Sequence, residues 1–332
     1  YLGMGLFGGD YGAIAAAGNS LYMSAGNANK VVVYNSLPTR PDQAPDFAIG
    51  SPDLKTNTLE THFIISNPVP ASNGKSLFVS SDFDRKLYVW KQLPDASGAR
   101  PDSVYSLGFG PMDNALWGDT YALAGHQEVM VWKGLPIKGQ LPDLVFNDRI
   151  GSVQFKNLTG IAMDDQCFYL ADADASKVYV WKGIPSQTSE PAFSLDVEGP
   201  GRMTSDGNYL VVATGFRHQA LVYPVGTLSA SSKPSAVGGV GIFNGVPMAA
   251  AARGGLYLLD GGFNRVHIWR NIQDAVSGKA ADVVLGANFH KYRPEIGRNT
   301  LFLPAGLCFD GSYLWVGETK FSERILRFSP MP

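Results

Sequence analysis

Short apolar runs that end in an aromatic residue recur along the whole chain. The apolar residues in these runs are consecutive rather than alternating with polar ones, which indicates strands that are buried on both faces. The aromatic residues that end the runs are Tyr34, Trp90, Trp132, Trp181, Tyr223, Trp269 and Phe328. Their separations of roughly 42 to 59 residues are typical of the four-stranded blades of a propeller, repeated seven times.

Other runs supply the remaining strands of each repeat. A second apolar run precedes every aromatic run, as at residues 77–79 and 256–258, and small-residue runs lie upstream, as at 160–163, 248–252 and 306–309. Small residues suit an innermost strand that is crowded around a central axis. A fourth run follows, opened by the dipeptides Pro45-Asp46, Pro101-Asp102, Pro142-Asp143 and Ala281-Asp282. Because Pro is tolerated on an edge strand, these runs predict the outermost strands. The sequence therefore predicts an all-β fold, a seven-bladed β-propeller of four-stranded antiparallel blades.

The two ends of the chain predict how the ring closes. The seventh repeat stops at Pro332 without a fourth strand, and residues 1–7 resemble the fourth strand at residues 284–289. We expect the N-terminal strand to complete the seventh blade, so that residues 1–332 form a single β-propeller domain. Closure of this kind removes the exposed edges that an open array of sheets would leave.

The last two repeats resemble bacterial NHL-repeat propellers. Residues 256–269 read LYLLDGGFNRVHIW and residues 281–286 read ADVVLG, against a family pattern of LYVAD-x-x-NNRV-x-x-W followed by ADVVLGQ. Repeats two and four keep the pattern in a weaker form, and repeats three and five depart from it. The resemblance implies the fold. It implies little about function, because propellers serve many unrelated roles.

Composition and charge exclude several classes of function. The 332 residues carry a net charge of −2, and only 17% of them are charged, so the basic footprint of a nucleic-acid-binding protein is absent. No apolar run reaches the roughly 18 residues of a membrane span. The sequence starts at Tyr1 rather than Met, so either a leader peptide has been removed or the sequence has been trimmed. From a removed signal peptide we expect an extracytoplasmic location, whether periplasmic, secreted or inside a bacterial compartment.

Acidic residues in the predicted hairpins are the weak candidates for a metal site. They are Asp82, Asp84, Asp172, Asp174, Asp260 and Glu318. If Asp82, Asp172 and Asp260 converged on one face they could hold a cation such as Ca²⁺. The alternative, which we favour, is that each carboxylate accepts backbone N–H groups in its own turn. We expect no cofactor in this chain, with a structural Ca²⁺ ion left open.

The histidines and cysteines form no recognisable motif. His126 and His218 lie in corresponding hairpins and could share one face, which is too few ligands for a convincing zinc site. His267 lies inside an aromatic run and is expected to be a packing residue. Cys167 and Cys308 fall in distant repeats without a CxxC motif, so we expect two buried thiols rather than a disulfide.

Two long insertions are the predicted binding loops. Residues 51–68 and 288–300 each join a fourth strand to the first strand of the next repeat, and propeller topology places both on the same face. The candidate partner-binding residues in them are His62, His290, Lys291, Tyr292, Arg293 and Arg298. Tyr and Arg are enriched at interface hot spots. The alternative is that the length of these loops is structural.

The absence of a catalytic motif directs the functional prediction. We expect a non-catalytic interaction or scaffold propeller that is a subunit of a larger extracytoplasmic complex. Its partners would be other protein subunits, c-type cytochromes among them, as illustrated at the level of fold by the cofactor-free propeller of multi-haem complexes such as hydrazine synthase. The alternatives are a metal-dependent, lactonase-like hydrolase or lyase acting at the central channel, and a carbohydrate-binding propeller.

Overall fold

The structure is a computed structural model, and the chain in it divides into two compact units, Tyr1–Ile64 and Ile65–Pro332. The described residues are 14–25, 30–55, 68–82, 84–137, 139–215, 217–239, 248–252, 254–286, 297–298, 300–319 and 324–329. Within them the regular structure is almost entirely antiparallel strand. The exceptions are a 3-10 turn at Val225–Thr227 and one short helix, α1 (Ile272–Val276). No helix in these ranges is long and apolar enough to cross a membrane.

The described residues of the first unit form one four-stranded sheet. Its strands are β1 (Ile14–Ala17), β2 (Ser20–Ala25), β3 (Lys30–Tyr34) and β4 (Phe47–Ile49), and they pair in chain order. Val32 is buried against Met23 and Leu54. Tyr34, the first of the predicted aromatic residues, ends β3 as expected, and its hydroxyl donates to the Gln43 carbonyl at 3.2 Å.

The described residues of the second unit form six larger sheets and one two-stranded ribbon. The sheets are β5 (Val69–Ser72), β6 (Leu77–Ser81), β7 (Lys86–Trp90) and β8 (Ser103–Ser106); β9 (Asp113–Trp117), β10 (Thr120–Ala124), β11 (Glu128–Trp132) and β12 (Leu144–Asn147); β15 (Leu158–Met163), β16 (Cys167–Asp172), β17 (Lys177–Lys182) and β18 (Phe193–Asp196); β19 (Pro200–Ser205), β20 (Tyr209–Thr214), β21 (Gln219–Pro224) and β22 (Ser235–Gly238); β23 (Met248–Ala252), β24 (Gly255–Asp260), β25 (Arg265–Trp269) and β26 (Val283–Gly286); and β27 (Pro304–Phe309), β28 (Leu314–Glu318) and β29 (Ile325–Phe328). The ribbon is β13 (Arg149–Ile150) with β14 (Val153–Gln154).

The first strands of these six sheets contact one another in a cycle. The contacts run from β5 to β9, β15, β19, β23 and β27, and β27 in turn contacts β5. The approach is close enough to need glycine. A Cβ atom on Gly306 would lie 2.2 Å from the Pro68 carbonyl oxygen, and one on Gly160 would lie 2.2 Å from the Gly201 carbonyl oxygen. The prediction that small residues mark the innermost strands is therefore confirmed at these two positions.

The blade count and the ring closure stay predictions. Six sheets take part in the contact cycle of the second unit, whereas the sheet of β1–β4 belongs to the first unit. The last sheet, β27–β29, has three strands in the described part of the chain. Residues 1–7, the predicted closing strand, lie outside the described residues.

The aromatic residues that end the third strands anchor the outer loops. Each tryptophan among them donates its Nε1–H to a carbonyl in the loop that leads to the fourth strand. These pairs are Trp90 with Ala99 at 3.0 Å, Trp132 with Gln140 at 3.0 Å, Trp181 with Ser189 at 3.1 Å and Trp269 with Lys279 at 2.8 Å. The rings themselves are buried. A buried ring with a satisfied polar atom fixes both the sheet and its outer loop.

The Pro-Asp and Ala-Asp dipeptides have a matching structural role. In each, the aspartate accepts a hydrogen bond from the backbone N–H that follows the aromatic residue. The pairs are Asp46 with Asn35 at 2.7 Å, Asp102 with Lys91 at 2.8 Å, Asp143 with Lys133 at 2.7 Å and Asp282 with Arg270 at 2.8 Å. This clasp holds the end of the third strand against the beginning of the fourth, and it explains why the dipeptide recurs.

Candidate functional site

A cavity of about 280 Å³ lies where the first strands of the second unit meet. Its lining residues come from β5, β9, β15, β19 and β27 and from Asp206 just after β19. Val69 and Asp113, at the start of their strands, are buried, whereas Ser72 and Trp117, at the ends, are partly exposed. The cavity therefore opens toward the hairpins that join first and second strands and is closed at the other end.

Arg202 crosses the closed end. It lies in β19, and its Nε donates to the Met112 carbonyl at 2.8 Å while its Nη1 donates to the Ala305 carbonyl. Met112 precedes β9 and Ala305 lies in β27, so one guanidinium ties three of the six innermost strands together. Burial lowers the pKa of Arg202, and the carboxylates of Asp113 and Asp82 act in the opposite direction.

Asp113 is the buried acid at this level of the cavity. Its side chain is almost completely buried, and its Oδ2 accepts from the backbone N–H of Ile161 at 3.0 Å and of Met203 at 3.3 Å. Burial raises the pKa of Asp113 to about 7, although the charge of Arg202 and the backbone N–H groups lower it. A carboxyl group with this pKa exchanges a proton near neutral pH.

The rim of the opening is held by carboxylates in the first hairpins. Asp164 accepts from the Ser205 hydroxyl at 2.6 Å, and Asp310 accepts from the Ser72 hydroxyl at 3.0 Å. In both cases the partner lies on the neighbouring sheet. The other oxygen of each carboxylate accepts backbone N–H groups in its own hairpin. The rim is therefore built from hydrogen bonds within and between sheets.

Two aromatic side chains flank the opening. Trp117 ends β9, and a Cβ atom on Gly207 would lie 3.1 Å from its ring. Phe309 ends β27 and stacks on Tyr257 with ring centroids 4.7 Å apart. Trp117 and Phe309 both line the cavity and come from different sheets.

The structure does not bring the predicted metal candidates together. Asp172 accepts from the backbone N–H of Ala175 in its own turn and from those of Lys156 and Asn157 in the loop before β15. Asp260 forms a buried ion pair with Arg265 at 3.1 Å.

The remaining hairpin acids are engaged in a similar way. Asp82 lies close enough to Arg202 for its charge to raise the pKa of the guanidinium. Glu318 forms an ion pair with Arg324 at 2.6 Å. Asp84 accepts a hydrogen bond from the Tyr88 hydroxyl, and Asp174 accepts one from the Asn157 amide at 3.0 Å. Among the described residues no group of three or more His, Cys, Asp or Glu side chains could hold a metal ion.

The histidines and cysteines have local roles. His126 hydrogen-bonds Asn157 at 2.7 Å, and His218 is a turn residue with φ of 51°. His267 stacks on Trp269, and burial lowers its pKa to about 4, as a packing residue requires. Cys167 and Cys308 are both free thiols, and Cys167 is buried as expected, whereas the side chain of Cys308 is only partly buried. Cys308 lines the cavity, and burial raises its pKa.

The predicted partner-binding residues fall mostly outside the described part of the chain. His62, His290, Lys291, Tyr292 and Arg293 lie there. Arg298 is described and is exposed to solvent. The binding role of both insertions therefore stays a prediction.

Sequence reasoning missed Asp113 and Arg202. By strand register Asp113 occupies the level at which Gly160 and Gly306 stand in two other sheets, and Arg202 lies in the irregular start of β19, between Pro200 and Met203. The signal was a pair of charged residues inside strands that are otherwise built from small or apolar residues.

Comparisons with known proteins support the fold. No family model matches the chain, and no curated protein sequence matches it. Among solved structures the chain is similar to hydrazine synthase from Kuenenia stuttgartiensis, with 12% identity, 98% of both chains covered and a TM-score of 0.51. It is also similar to virginiamycin B lyase from Staphylococcus aureus, with 11% identity, 99% of this chain and 98% of the other covered and a TM-score of 0.48. Both are β-propellers, so the first of these likenesses confirms an all-β, propeller-like fold, while the NHL-repeat assignment stays a prediction.

Proposed function

We propose that this chain is a non-catalytic propeller that acts as a binding subunit of a larger extracytoplasmic assembly. The observation that carries the proposal is Leu141, a large apolar side chain that is 86% exposed. It lies in the outer loop between β11 and β12. Other protein subunits, c-type cytochromes among them, are the partners that the proposal implies.

Leu141 is held in a fixed position on the surface. The preceding carbonyl, of Gln140, accepts from the Trp132 indole at 3.0 Å. Two residues later, the backbone N–H of Asp143 donates to the Val131 carbonyl at 2.8 Å. Because both flanks are tied to β11, the side chain is presented to solvent in one place. Preorganisation of this kind reduces the entropy lost when a partner binds.

Two other repeats carry charged residues at the corresponding position, and the sixth carries Ala280. The residue that follows the indole-bound carbonyl is Arg100 in the second repeat and Glu190 in the fourth. Both are exposed, as is normal for charged residues at a solvent-facing position. Leucine at the same place exposes apolar surface to water, which an apolar contact with a partner would bury.

The outer strands add further apolar surface. Val104 in β8 and Val284 in β26 are each about half exposed and pair with corresponding positions of their neighbouring strands. Outer strands present unpaired backbone groups, and proteins usually cover such edges or place charged residues on them. The fold likeness to a chain of hydrazine synthase that is covered over 98% of its length is compatible with a subunit role.

Replacement of Leu141 by arginine tests the proposal. Arg100 shows that the loop accepts arginine at this position, so L141R should fold with an unchanged melting temperature. The matched control is S106R, which adds the same charge at an exposed position of β8. In native extract, size-exclusion chromatography should show the wild type and S106R in a large assembly and L141R displaced to lower mass. Elution of the wild type as a monomer would contradict the proposal.

A metal-dependent hydrolase or lyase at the central channel, and a carbohydrate-binding propeller, stay alternatives. No observation among the described residues favours either of them over the binding subunit.

A further inference from the structure

The outer loop that carries Leu141 has a close counterpart in the next repeat. Residues 132–143 read WKGLPIKGQLPD and residues 181–192 read WKGIPSQTSEPA, so the two loops have the same length and share their prolines. Each begins with a tryptophan whose indole donates to the carbonyl eight residues later, at 3.0 Å in one loop and 3.1 Å in the other. The two loops are therefore built alike, and Glu190 stands where Leu141 stands.

In the fourth repeat this position receives the tip of the ribbon formed by β13 and β14. The two carboxylate oxygens of Glu190 accept from Ser152, one from its backbone N–H at 2.9 Å and the other from its hydroxyl. Next to it, the Gly151 N–H donates to the Gln187 carbonyl at 3.0 Å. The outer loop is thus a docking position for a tight turn from outside its own sheet, and here the chain supplies that turn itself.

Gly151 shows how closely the turn approaches the loop. A Cβ atom on this residue would lie 2.5 Å from the Ser189 carbonyl oxygen and 2.7 Å from the Glu190 carboxylate. The same Ser189 carbonyl accepts from the Trp181 indole, so its position is fixed. The contact therefore requires glycine at the first tip position, and any turn that docks in this way shares the requirement.

The corresponding position in the third repeat receives no such turn from the described part of the chain. Residues 107–112, which join β8 to β9, are described throughout and form no strand. Strand β8 reaches only the near side of the loop. There the Ser103 hydroxyl donates to the Ile137 carbonyl at 3.1 Å, and the Gly139 N–H donates to the Tyr105 hydroxyl at 2.8 Å. Leu141 lies beyond these contacts and is 86% exposed.

The two positions differ in the chemistry of the tip that they accept. Glu190 takes the N–H and the hydroxyl of a serine. Leucine has no acceptor to offer, so a turn that docks on Leu141 gains most from an apolar side chain at the place of Ser152. Contact between two apolar side chains removes the surface of both from water.

We propose that Leu141 is the docking position for a two-residue β-turn of a partner subunit, with glycine at the first tip position and a large apolar residue at the second. The turn of Gly151 and Ser152 is of this two-residue kind, since Ile150 pairs with Val153. Such a turn belongs to a subunit of the assembly proposed above, on whose existence this docking mode rests.

Photo-crosslinking of the full chain in native extract tests this docking mode. The variant is Leu141→p-benzoylphenylalanine, and the matched control is the same amino acid at Ser106, an exposed position of β8. Irradiation should join the first variant, and not the control, to another protein, and mass spectrometry should place the cross-link in a β-turn of glycine and an apolar residue. A cross-link in a helix or an extended segment of that protein would overturn the docking mode and leave the proposed function standing. No adduct at position 141, or one with a second copy of this chain, would overturn both.

A pair exchange with the purified partner tests the chemistry of the tip. L141E copies the fourth repeat, so it should fold with an unchanged melting temperature and weaken binding by about tenfold. Serine in place of the apolar tip residue of the partner should weaken binding to the wild type by a similar factor and restore most of the binding to L141E. If the serine variant of the partner binds L141E no better than the unchanged partner does, the tip does not lie on residue 141 as Ser152 lies on Glu190, and the docking mode is wrong.

Discussion

At the scale of single residues, Arg202 is the side chain whose removal should cost the most. Methionine in its place has a similar length but leaves the Met112 and Ala305 carbonyls without their donor and Asp113 without a nearby cation. We expect R202M to lower the free energy of unfolding by about 3 kcal/mol. Urea unfolding followed by tryptophan fluorescence measures this. The control is R217M, which removes an exposed ion pair with Glu198 and should cost less than about 1 kcal/mol; equal losses in both variants would contradict the special role of Arg202.

Asp113 should give the stability of the protein a distinctive pH dependence. Its pKa in the folded chain is about 7, against an ordinary value of 3.8. The fold therefore favours the protonated form, and this contribution is fully present below about pH 4 and is lost as the pH rises through 7. Relative to D113N, the wild type should lose up to about 4 kcal/mol of unfolding free energy between these two pH values. Parallel stability curves for the two proteins, measured by urea unfolding over this range, would contradict the assignment.

The residues around the cavity show what a sequence read alone leaves open. The small residues at 160–163 and 306–309 could be assigned to an innermost strand from their size. Asp113 and Arg202 could not, because their hydrogen-bond partners belong to other sheets: Ile161 and Met203 for Asp113, and Met112 and Ala305 for Arg202. Their place at the closed end, and the cavity above it, follow only from contacts between sheets that are far apart in sequence.

At the scale of elements, the aspartate clasp should stabilise each outer hairpin. In D143A the Lys133 N–H loses its acceptor, which lies at 2.7 Å in the wild type, and we expect a loss of about 1 kcal/mol in unfolding free energy. Hydrogen exchange at the Lys133 amide should become faster. D143N should retain most of the protection because its amide oxygen still accepts. As a control, D196A removes an acid that makes an exposed ion pair with Lys177 and should leave the Lys133 amide unaffected; loss of protection there too would argue against a local clasp.

Elements that repeat could be predicted, and those that occur once could not. The aromatic residue at the end of each third strand was predictable because its spacing recurs and its burial needs consecutive apolar residues. Helix α1 and the ribbon of β13 and β14 occur in single repeats. The helix spans one turn, capped by the Asn271 side chain, and five residues are too few to display a helical period.

At the scale of the whole molecule, the number of repeats and the number of sheets in a ring are separate quantities. Periodicity in the sequence counts the sheets that the chain can form. Which sheets are neighbours depends on contacts between first strands, and those depend on positions such as Gly306, where only glycine permits the approach to Pro68. A repeat count of seven is therefore consistent with a cycle of six sheets in one unit and a further sheet in the other.

The fragment of residues 65–332 decides between a self-sufficient cycle of six sheets and a ring that needs seven. Because β27 contacts β5 within this unit, we expect the fragment to be soluble and to unfold cooperatively, with tryptophan fluorescence and circular dichroism reporting the same transition. A fragment of residues 65–286 is the control. It lacks β27–β29, so β5 and β23 lose the strand of the neighbouring sheet that they contact, and it should aggregate or melt without cooperativity. If the fragment of residues 65–332 also aggregates or melts without cooperativity, residues 1–64 are needed to complete the ring. The prediction of seven blades from the sequence is then the better description.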